Sequence, residues 1–214
     1  MRVVPTSAEF RARARESLSG NWTSAVLHYL LFSFVMSALG SIGFIPLLGW
    51  IPAFLCAGAM IYGLMAFFLD LSRRQSPATE TLFSGFPKFG ETFVLYLLML
   101  IFVWLWSLLL IIPGIIAAFR YSQAYFILKD NPGIGALEAI RRSKEMMAGN
   151  KGRLFFLMLS FIGWALLVPF TLGIGALWLV PYVYTSVAHF HNDLLMRTAS
   201  VPPPPPPPQS YYQG

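Results

Sequence analysis

Arg120 is the charged side chain whose position suggests chemistry most directly, because it lies inside a long apolar stretch. A guanidinium buried in a membrane needs a partner, and the sequence places no carboxylate at its depth. A lipid phosphate would satisfy it through two parallel hydrogen bonds. Polar residues follow Arg120, and others lie at a similar depth in the membrane in the last apolar stretch. They predict a lipid- or anion-binding pocket, formed by Arg120, Tyr121, Gln123, Tyr182, Tyr184 and His189. The simpler alternative is an arginine that ends a short tilted helix and reaches water.

The other groups that could do chemistry are scattered. All nine carboxylates fall at the ends of apolar stretches or between them, which argues against a paired-carboxylate hydrolase. His189 and His191 have Asp193 nearby but too few further ligands for a metal site, and the single cysteine, Cys56, lies within an apolar run. We therefore predict a protein that is not an enzyme and has no catalytic residue, cofactor or metal.

Composition indicates where these residues lie. The 214 residues are 57% hydrophobic and 11% charged, and their mean hydropathy is +0.64. Soluble domains carry about 25% charged residues, so a soluble globular enzyme is nearly excluded. Residues 17–69, 92–119 and 154–192 contain no Asp, Glu, Lys or Arg. One transmembrane helix needs about 20 residues, so these stretches predict a polytopic membrane protein.

Charge counting predicts six membrane elements in three hairpins, at about residues 24–69, 92–128 and 154–191. Proline and glycine stop the helices at joints near residues 43–50, 112–114 and 169–173. The joints are uncharged, so apart from Arg120 every Lys and Arg falls on the opposite side, as the positive-inside bias requires. A five-span alternative, with one long helix over 92–119, violates that bias. We predict an all-α transmembrane helical bundle of the bacterial cytoplasmic (inner) membrane, multi-pass, with both termini in the cytoplasm.

Amphipathic cytoplasmic helices, here called leaders, are predicted before each hairpin, at about residues 6–20, 78–90 and 132–148. The first opens with the capping-box pattern of Thr6 and Glu9 and repeats Phe10, Ala14 and Leu18 on one side. Its Arg11, Arg13 and Arg15 form a basic membrane-surface segment. The third leader is predicted to begin at Asn131-Pro132, to place Leu137, Ile140 and Met147 on one side, to pair Glu138 with Arg142, and to end at Gly149. Leaders of this kind lie on anionic lipid or dock on the bundle; both alternatives stay open.

An internal repeat relates the first and third leaders. The segments 13–21 (RARESLSGN) and 142–150 (RSKEMMAGN) match at Arg13/Arg142, Glu16/Glu145, Gly20/Gly149 and Asn21/Asn150. The central segment matches only weakly. The pattern predicts three like-oriented repeats of one leader and one hairpin.

Longer segments carry a resemblance to a known family. They are Phe10–Trp22, Leu82–Gly90, Trp106–Gly114 (WSLLLIIPG), Tyr121–Pro132 (YSQAYFILKDNP), Ala136–Gly149 and Phe161–Tyr182 (FIGWALLVPFTLGIGALWLVPY). Over about residues 5–195 the chain resembles the uncharacterised bacterial membrane proteins called domain of unknown function 975. It is also distantly similar to the membrane region of some bacterial glycerophosphodiester phosphodiesterases. The first resemblance implies a multi-pass membrane protein and brings no catalytic residues.

These observations predict one integral membrane domain over residues 1–195 and a disordered, proline-rich cytoplasmic tail over 196–214. The net charge of +6 fits basic residues kept on the cytoplasmic side, so nucleic acid is not expected as a partner. Trp22, Trp50 and Trp178 are interpreted as interface anchors. The small pairs Ala53/Ala57 and Ala59/Gly63 indicate close helix packing, within the chain or in a homo-oligomer.

We interpret the chain as a non-enzymatic, lipid-interacting or membrane-protein interaction module, with membrane phospholipids and other membrane proteins as its partners. The alternative is a transporter or channel subunit for a small, anionic solute. An enzyme of lipid head groups is the third hypothesis.

Overall fold

The computed structural model describes residues 4–41 and 51–199, and every regular element in this part of the chain is helical. The α-helices in it are α1 (Ser7–Leu18), α2 (Trp22–Ser41), α3 (Ile51–Ser72), α4 (Phe89–Leu109), α5 (Ile111–Tyr121), α6 (Ala124–Asp130), α7 (Ala136–Met146), α8 (Lys151–Leu159), α9 (Ile162–Leu167) and α10 (Ala176–Ala199). Thr79–Phe83 and Pro169–Thr171 are short 3₁₀ helices. The first predicted joint, 43–50, lies outside the described residues, as do residues 200–214 of the predicted tail. Residues 196–199, predicted to begin that tail, belong to α10 instead.

Five segments are long and apolar enough to cross a membrane: Trp22–Ser41, Ile51–Ser72, Phe89–Leu108, Ile111–Asp130 and Lys151–Thr171. Large apolar side chains also cover the outside of the bundle, for example Trp104, Leu108 and Leu166, each more than half exposed. Soluble monomers rarely expose apolar patches of this extent. Both features fit a membrane protein.

α10 is not among these segments, although it has 24 residues. Its C-terminal half is polar, but the polar side chains point inward: Thr185, Ser186 and His191 are fully buried. The hydroxyls of Thr185 and Ser186 each donate to a carbonyl one turn earlier, at 2.8 Å. Polar groups buried in protein lower the mean hydropathy of a helix without exposing it to water.

α3 lies at the centre and packs against α2, α4, α6 and α10. Glycine permits its closest contacts. A Cβ on Gly63 would lie 1.8 Å from the carbonyl oxygen of Leu82, and one on Gly85 would lie 2.2 Å from that of Ala59. The small pair Ala59/Gly63 therefore receives the segment after α3, and this close packing occurs within the chain.

The middle hairpin reverses at Leu110, earlier than the predicted break at Pro113-Gly114. Leu110 has extended backbone, with φ −167° and ψ 153°, between α4 and α5, which pack side by side. Pro113 instead lies in the first turn of α5, where a missing amide donor is tolerated. Gly114 allows the return helix to approach, because a Cβ there would lie 2.1 Å from the Ser107 hydroxyl.

The first predicted leader coincides with the helix α1, and its predicted capping box is confirmed. The Glu9 carboxylate accepts from the Thr6 amide at 2.7 Å, and the Thr6 hydroxyl accepts from the Glu9 amide. Phe10, Ala14 and Leu18 are all buried. They face α10, α8 and α3, and the Phe10 and Phe190 rings are 5.5 Å apart. The apolar side of α1 therefore packs against protein.

The other two leaders differ from their predictions. Residues 78–90 contain a short 3₁₀ helix and turns before α4, rather than an amphipathic α-helix. The third leader begins at Ala136, not at Asn131-Pro132, because Gly133 and Gly135 have left-handed φ values of +86° and +76° that interrupt the helix. Leu137 was also wrongly assigned to the packed side, since it is 63% exposed.

The repeat of the first and third leaders is visible in the structure. Gly20 and Gly149 both adopt left-handed backbone, at φ +81° and +75°, as predicted for Gly149. The side-chain amides of Asn21 and Asn150 both donate to the backbone carbonyl four residues earlier. The buried side matches too: Ala139 and Ser143 in α7 and Met147, which follows it, correspond to Phe10, Ala14 and Leu18 in α1, and all six are buried.

Candidate functional site

A groove of about 620 Å³ opens on the side of the bundle between α1, α9 and α10. Its size is that of an ordinary small-molecule site. Ala8, Arg11 and Arg15 of α1 line one wall, and Trp164, Leu167 and Val168 line the opposite wall. Trp22, Thr171, Gly175, Trp178, Leu179 and Tyr182 complete the lining. The groove is therefore mainly apolar, with two arginines on one wall.

The wall opposite α1 is an apolar arm, residues 162–174, in which no residue is buried. The arm arises because the helix that starts as α8 is interrupted at Ser160 and Phe161 before it continues as α9. Phe170 and Leu172 at its tip are 85% and 92% exposed. The arm is therefore covered by little other protein.

Arg11 is anchored to the groove by its backbone and only weakly by its guanidinium. The Tyr182 hydroxyl donates to the Arg11 carbonyl at 3.3 Å, which joins α1 to α10. The guanidinium makes one long bond, from Nη1 to the Ser160 carbonyl at 3.4 Å. Its Nε is buried and has no hydrogen-bond partner. A buried donor of this kind is costly unless something binds it.

A second polar region, here called the helix-end network, joins the ends of α3, α6 and α10. Asp130 accepts two hydrogen bonds from the Arg73 guanidinium, both 2.7 Å long. The His191 ring lies between Asp130 and Gln123, with Nε2 3.2 Å from the carboxylate and Nδ1 3.1 Å from the amide oxygen. Asn192 bridges Arg73 and the buried Ser72.

Each predicted hairpin contributes one aspartate near the end of its second helix. Asp70 in α3 pairs with Lys129, and Asp193 in α10 pairs with Arg153 of α8 at 2.6 Å. With Asp130 and its partners, these two ion pairs belong to the helix-end network: the Asp70 and Asp130 pairs connect neighbouring hairpins, and the Asp193 pair joins α8 to α10 within the third hairpin. The sequence showed these carboxylates at helix ends, but except for Arg197, four residues after Asp193, their partners lie far apart along the chain and could not be identified.

In the structure, the predicted pocket residues of the middle hairpin pack against neighbouring helices or belong to the helix-end network. The Arg120 carbonyl accepts from the Ser143 hydroxyl at 2.8 Å. Tyr121 is buried against Phe102. Gln123 is fully buried and contacts His191.

The predicted residues of α10 lie elsewhere. Tyr182 lines the groove, Tyr184 stacks on Phe68, and His189 bonds Ser17 of α1 at 2.9 Å. The groove thus brings Tyr182 together with Arg11 and Arg15, rather than with Arg120. Binding at Arg120 stays a prediction.

The predicted basic segment divides between two surroundings. Arg11 and Arg15 face the groove, whereas the Arg13 guanidinium lies 6.0 Å from the centre of the Phe10 ring and is not part of the lining. Two of the three predicted tryptophan anchors, Trp22 and Trp178, line the same groove. The third, Trp50, lies outside the described residues.

The chain matches the family described as "Protein of unknown function (DUF975)" over residues 1–114 and 107–198. The chain belongs to this family. Both the groove and the helix-end network of this DUF975 protein fall within the matched residues. No curated protein and no solved structure matches it, so the likeness to the membrane region of glycerophosphodiester phosphodiesterases stays a prediction.

Proposed function

We propose that this DUF975 protein is a non-enzymatic, lipid-interacting module of the bacterial cytoplasmic membrane. The single observation that carries the proposal is the open apolar groove between α1, α9 and α10, with arginines on one wall. Acyl chains fit an apolar groove that opens sideways, and guanidinium groups attract phosphate. The exposed apolar arm supports the same proposal, because lipid would cover a surface that protein leaves bare.

The proposed topology has six membrane elements, with α10 as the last. Its polar side chains face protein, so low mean hydropathy does not argue against a span. The ends of α3, α6 and α10 carry the network of paired charges, whereas residues 160–175 at the far end of the last hairpin carry no charge. This asymmetry supports a cytoplasmic position for the network, the leaders and both termini.

The lipid proposal is tested by filling the groove. We expect the wild type to retain phospholipid through purification, and Val168→Trp to retain less because the added ring occupies the groove. Leu166→Trp is the matched control, since Leu166 lies on the same arm but does not line the groove. Native mass spectrometry of detergent-extracted protein measures the number of lipids retained. Equal retention by all three proteins, or turnover of a labelled phospholipid, would contradict the proposal.

The topology is tested by cysteine labelling in a Cys56→Ser background. Phe170→Cys should react with an impermeant maleimide in intact cells, because the far joint is proposed to face the periplasm. Ala148→Cys, after the third leader, should react only once the cells are opened. Both native residues are exposed, so accessibility does not bias the comparison. Labelling of Ala148→Cys from outside would refute the six-element arrangement.

A further inference from the structure

We propose that Arg11 and Arg15 bind the phosphate of an anionic phospholipid whose acyl chain lies in the groove; this rests on the proposed function and identifies the head group. The two guanidinium groups are the charged side chains that line the groove. The neighbouring carboxylates of α1 are engaged elsewhere, since Glu9 caps Thr6 and Glu16 pairs with Arg74 at 2.6 Å. The groove therefore presents positive charge beside an apolar channel.

The hydrogen bonds of Arg11 indicate what it lacks. A guanidinium binds a phosphate with two parallel donors, and in Arg11 the buried Nε makes no bond while Nη1 makes only a long one. Arg153 shows the contrast within the same molecule. Its Nε is likewise buried without a partner, but its two terminal nitrogens hold Asp193 at 2.6 Å and Asn150 at 3.1 Å. The described surroundings of Arg11 include no such acceptor, and a lipid phosphate would supply one.

The rest of the groove suits a lipid better than a free anion. It extends from Tyr182, beside Arg11, to Gly175, just before α10, which is about 10 Å along a helix. Trp22, Trp164 and Trp178 line this length. Indole rings are typical of the boundary between head groups and acyl chains. A free phosphate would use only the arginines and leave the apolar walls uncovered.

The charge of the groove also favours one class of phospholipid. The ammonium of a zwitterionic head group would lie close to two guanidinium groups and be repelled, whereas phosphatidylglycerol carries no positive charge. Near an anionic surface one basic residue is worth about fivefold in binding. We therefore expect the groove to select anionic lipid.

The test measures head-group selection in nanodiscs that contain equal amounts of phosphatidylglycerol and phosphatidylcholine. The protein is extracted gently, and native mass spectrometry gives the ratio of the two lipids that remain bound. We expect the wild type to prefer phosphatidylglycerol. Arg11→Gln should lower the preference about fivefold and the double change of Arg11 and Arg15 to Gln further, whereas Arg11→Lys should restore part of it.

Arg13→Gln is the matched control, because it removes the same charge from the same helix but from a side chain outside the groove. The proposal is overturned if Arg13→Gln lowers the preference as much as Arg11→Gln, or if neither changes it. Displacement of bound lipid by excess inorganic phosphate would also overturn it, in favour of a free-anion site. Lipid retained without head-group preference would refute this inference alone, whereas no retained lipid of either kind would refute the proposed function as well.

Discussion

The helix-end network and the groove differ in how their arginines are partnered. In the network, Arg73 and Arg153 each hold an aspartate on another helix at 2.6–2.7 Å. In the groove, the Arg11 guanidinium has one bond of 3.4 Å and a buried Nε without a partner. The groove lines the N-terminal part of α10, as far as Tyr182, whereas the network meets its C-terminal half at His191 and Asp193.

The difference indicates separate roles. A buried charge that is held by a carboxylate on another helix fixes the arrangement of those helices, and losing one partner costs stability. A partly buried charge without such partners adds nothing to folding and is available to a ligand. Stability and lipid binding should therefore respond to different arginines.

The largest expected effect is on stability and compares Arg153→Met with Arg11→Met. Asp193 is almost fully buried, and Arg153 also contacts the Phe10 and Phe190 rings. Arg197 keeps its own bond to Asp193, so the loss of one charge-assisted bond and two ring contacts should lower the free energy of unfolding by about 3 kcal/mol. Arg11→Met should leave that energy within about 1 kcal/mol of the wild type, because no strong bond is lost. Unfolding in detergent, monitored by tryptophan fluorescence, measures both variants. Equal losses of stability would remove the distinction between the two regions.

A second prediction compares the closed centre of the bundle with its open side. Gly63→Ala should cost about 2 kcal/mol, because the new methyl would collide with the Leu82 carbonyl. Gly152→Ala in α8 adds the same methyl where no atom lies within 4 Å, so it should be neutral or stabilising by up to about 1 kcal/mol. The same unfolding assay measures both changes. Tolerance of Gly63→Ala would show that the segment after α3 is not packed against it.

Features encoded by neighbouring residues were predicted from the sequence. The capping box of Thr6 and Glu9 and the buried side of α1 follow from spacings of three and four residues, and both are confirmed. The glycine turn at Gly149 was predicted for the same reason. Such signals depend on local backbone geometry, and they fail where another local signal competes, as at Asn131-Pro132, where Gly133 and Gly135 interrupt the helix.

Features that depend on distant contacts were predicted poorly. Counting residues from the joints gave Arg120 and Tyr182 similar depths, but depth does not specify which helices are neighbours. The structure packs α5 against α4, α7 and α8, and it places Tyr182 beside Arg11 of α1. The groove combines residues from both ends of the chain, and the partners of Asp130 are Arg73, just after α3, and His191 of α10. The sequence did indicate the basic residues of α1, but it did not indicate which residues of α9 and α10 lie beside them.

The smallest expected effect concerns Glu138, an ion-pairing carboxylate on the surface helix α7. Hydrogen bonds from Arg141 and then Arg142 lower its pKa from about 4.5 to about 2. Because the folded pKa lies below the unfolded one, the pair contributes fully above pH 4.5, and the contribution is lost as pH falls towards 2. Little stability depends on it, since surface pairs contribute weakly. This exposed pair therefore serves as a comparison for the helix-end network. It tests whether the network stabilises the fold because its carboxylates are buried, rather than because they form ion pairs.

The measurement is the pH titration of the Glu138 carboxyl carbon by NMR, assigned with Glu138→Gln. Arg141→Gln removes the largest cause of the shift and should raise the pKa of Glu138 towards 4.5, while the unfolding temperature barely changes. Glu16, whose pair with Arg74 is also exposed, is the comparison carboxylate. If Arg141→Gln destabilised the protein as much as Arg153→Met, exposed and buried pairs would be equivalent here, and the contrast between network and surface would fail.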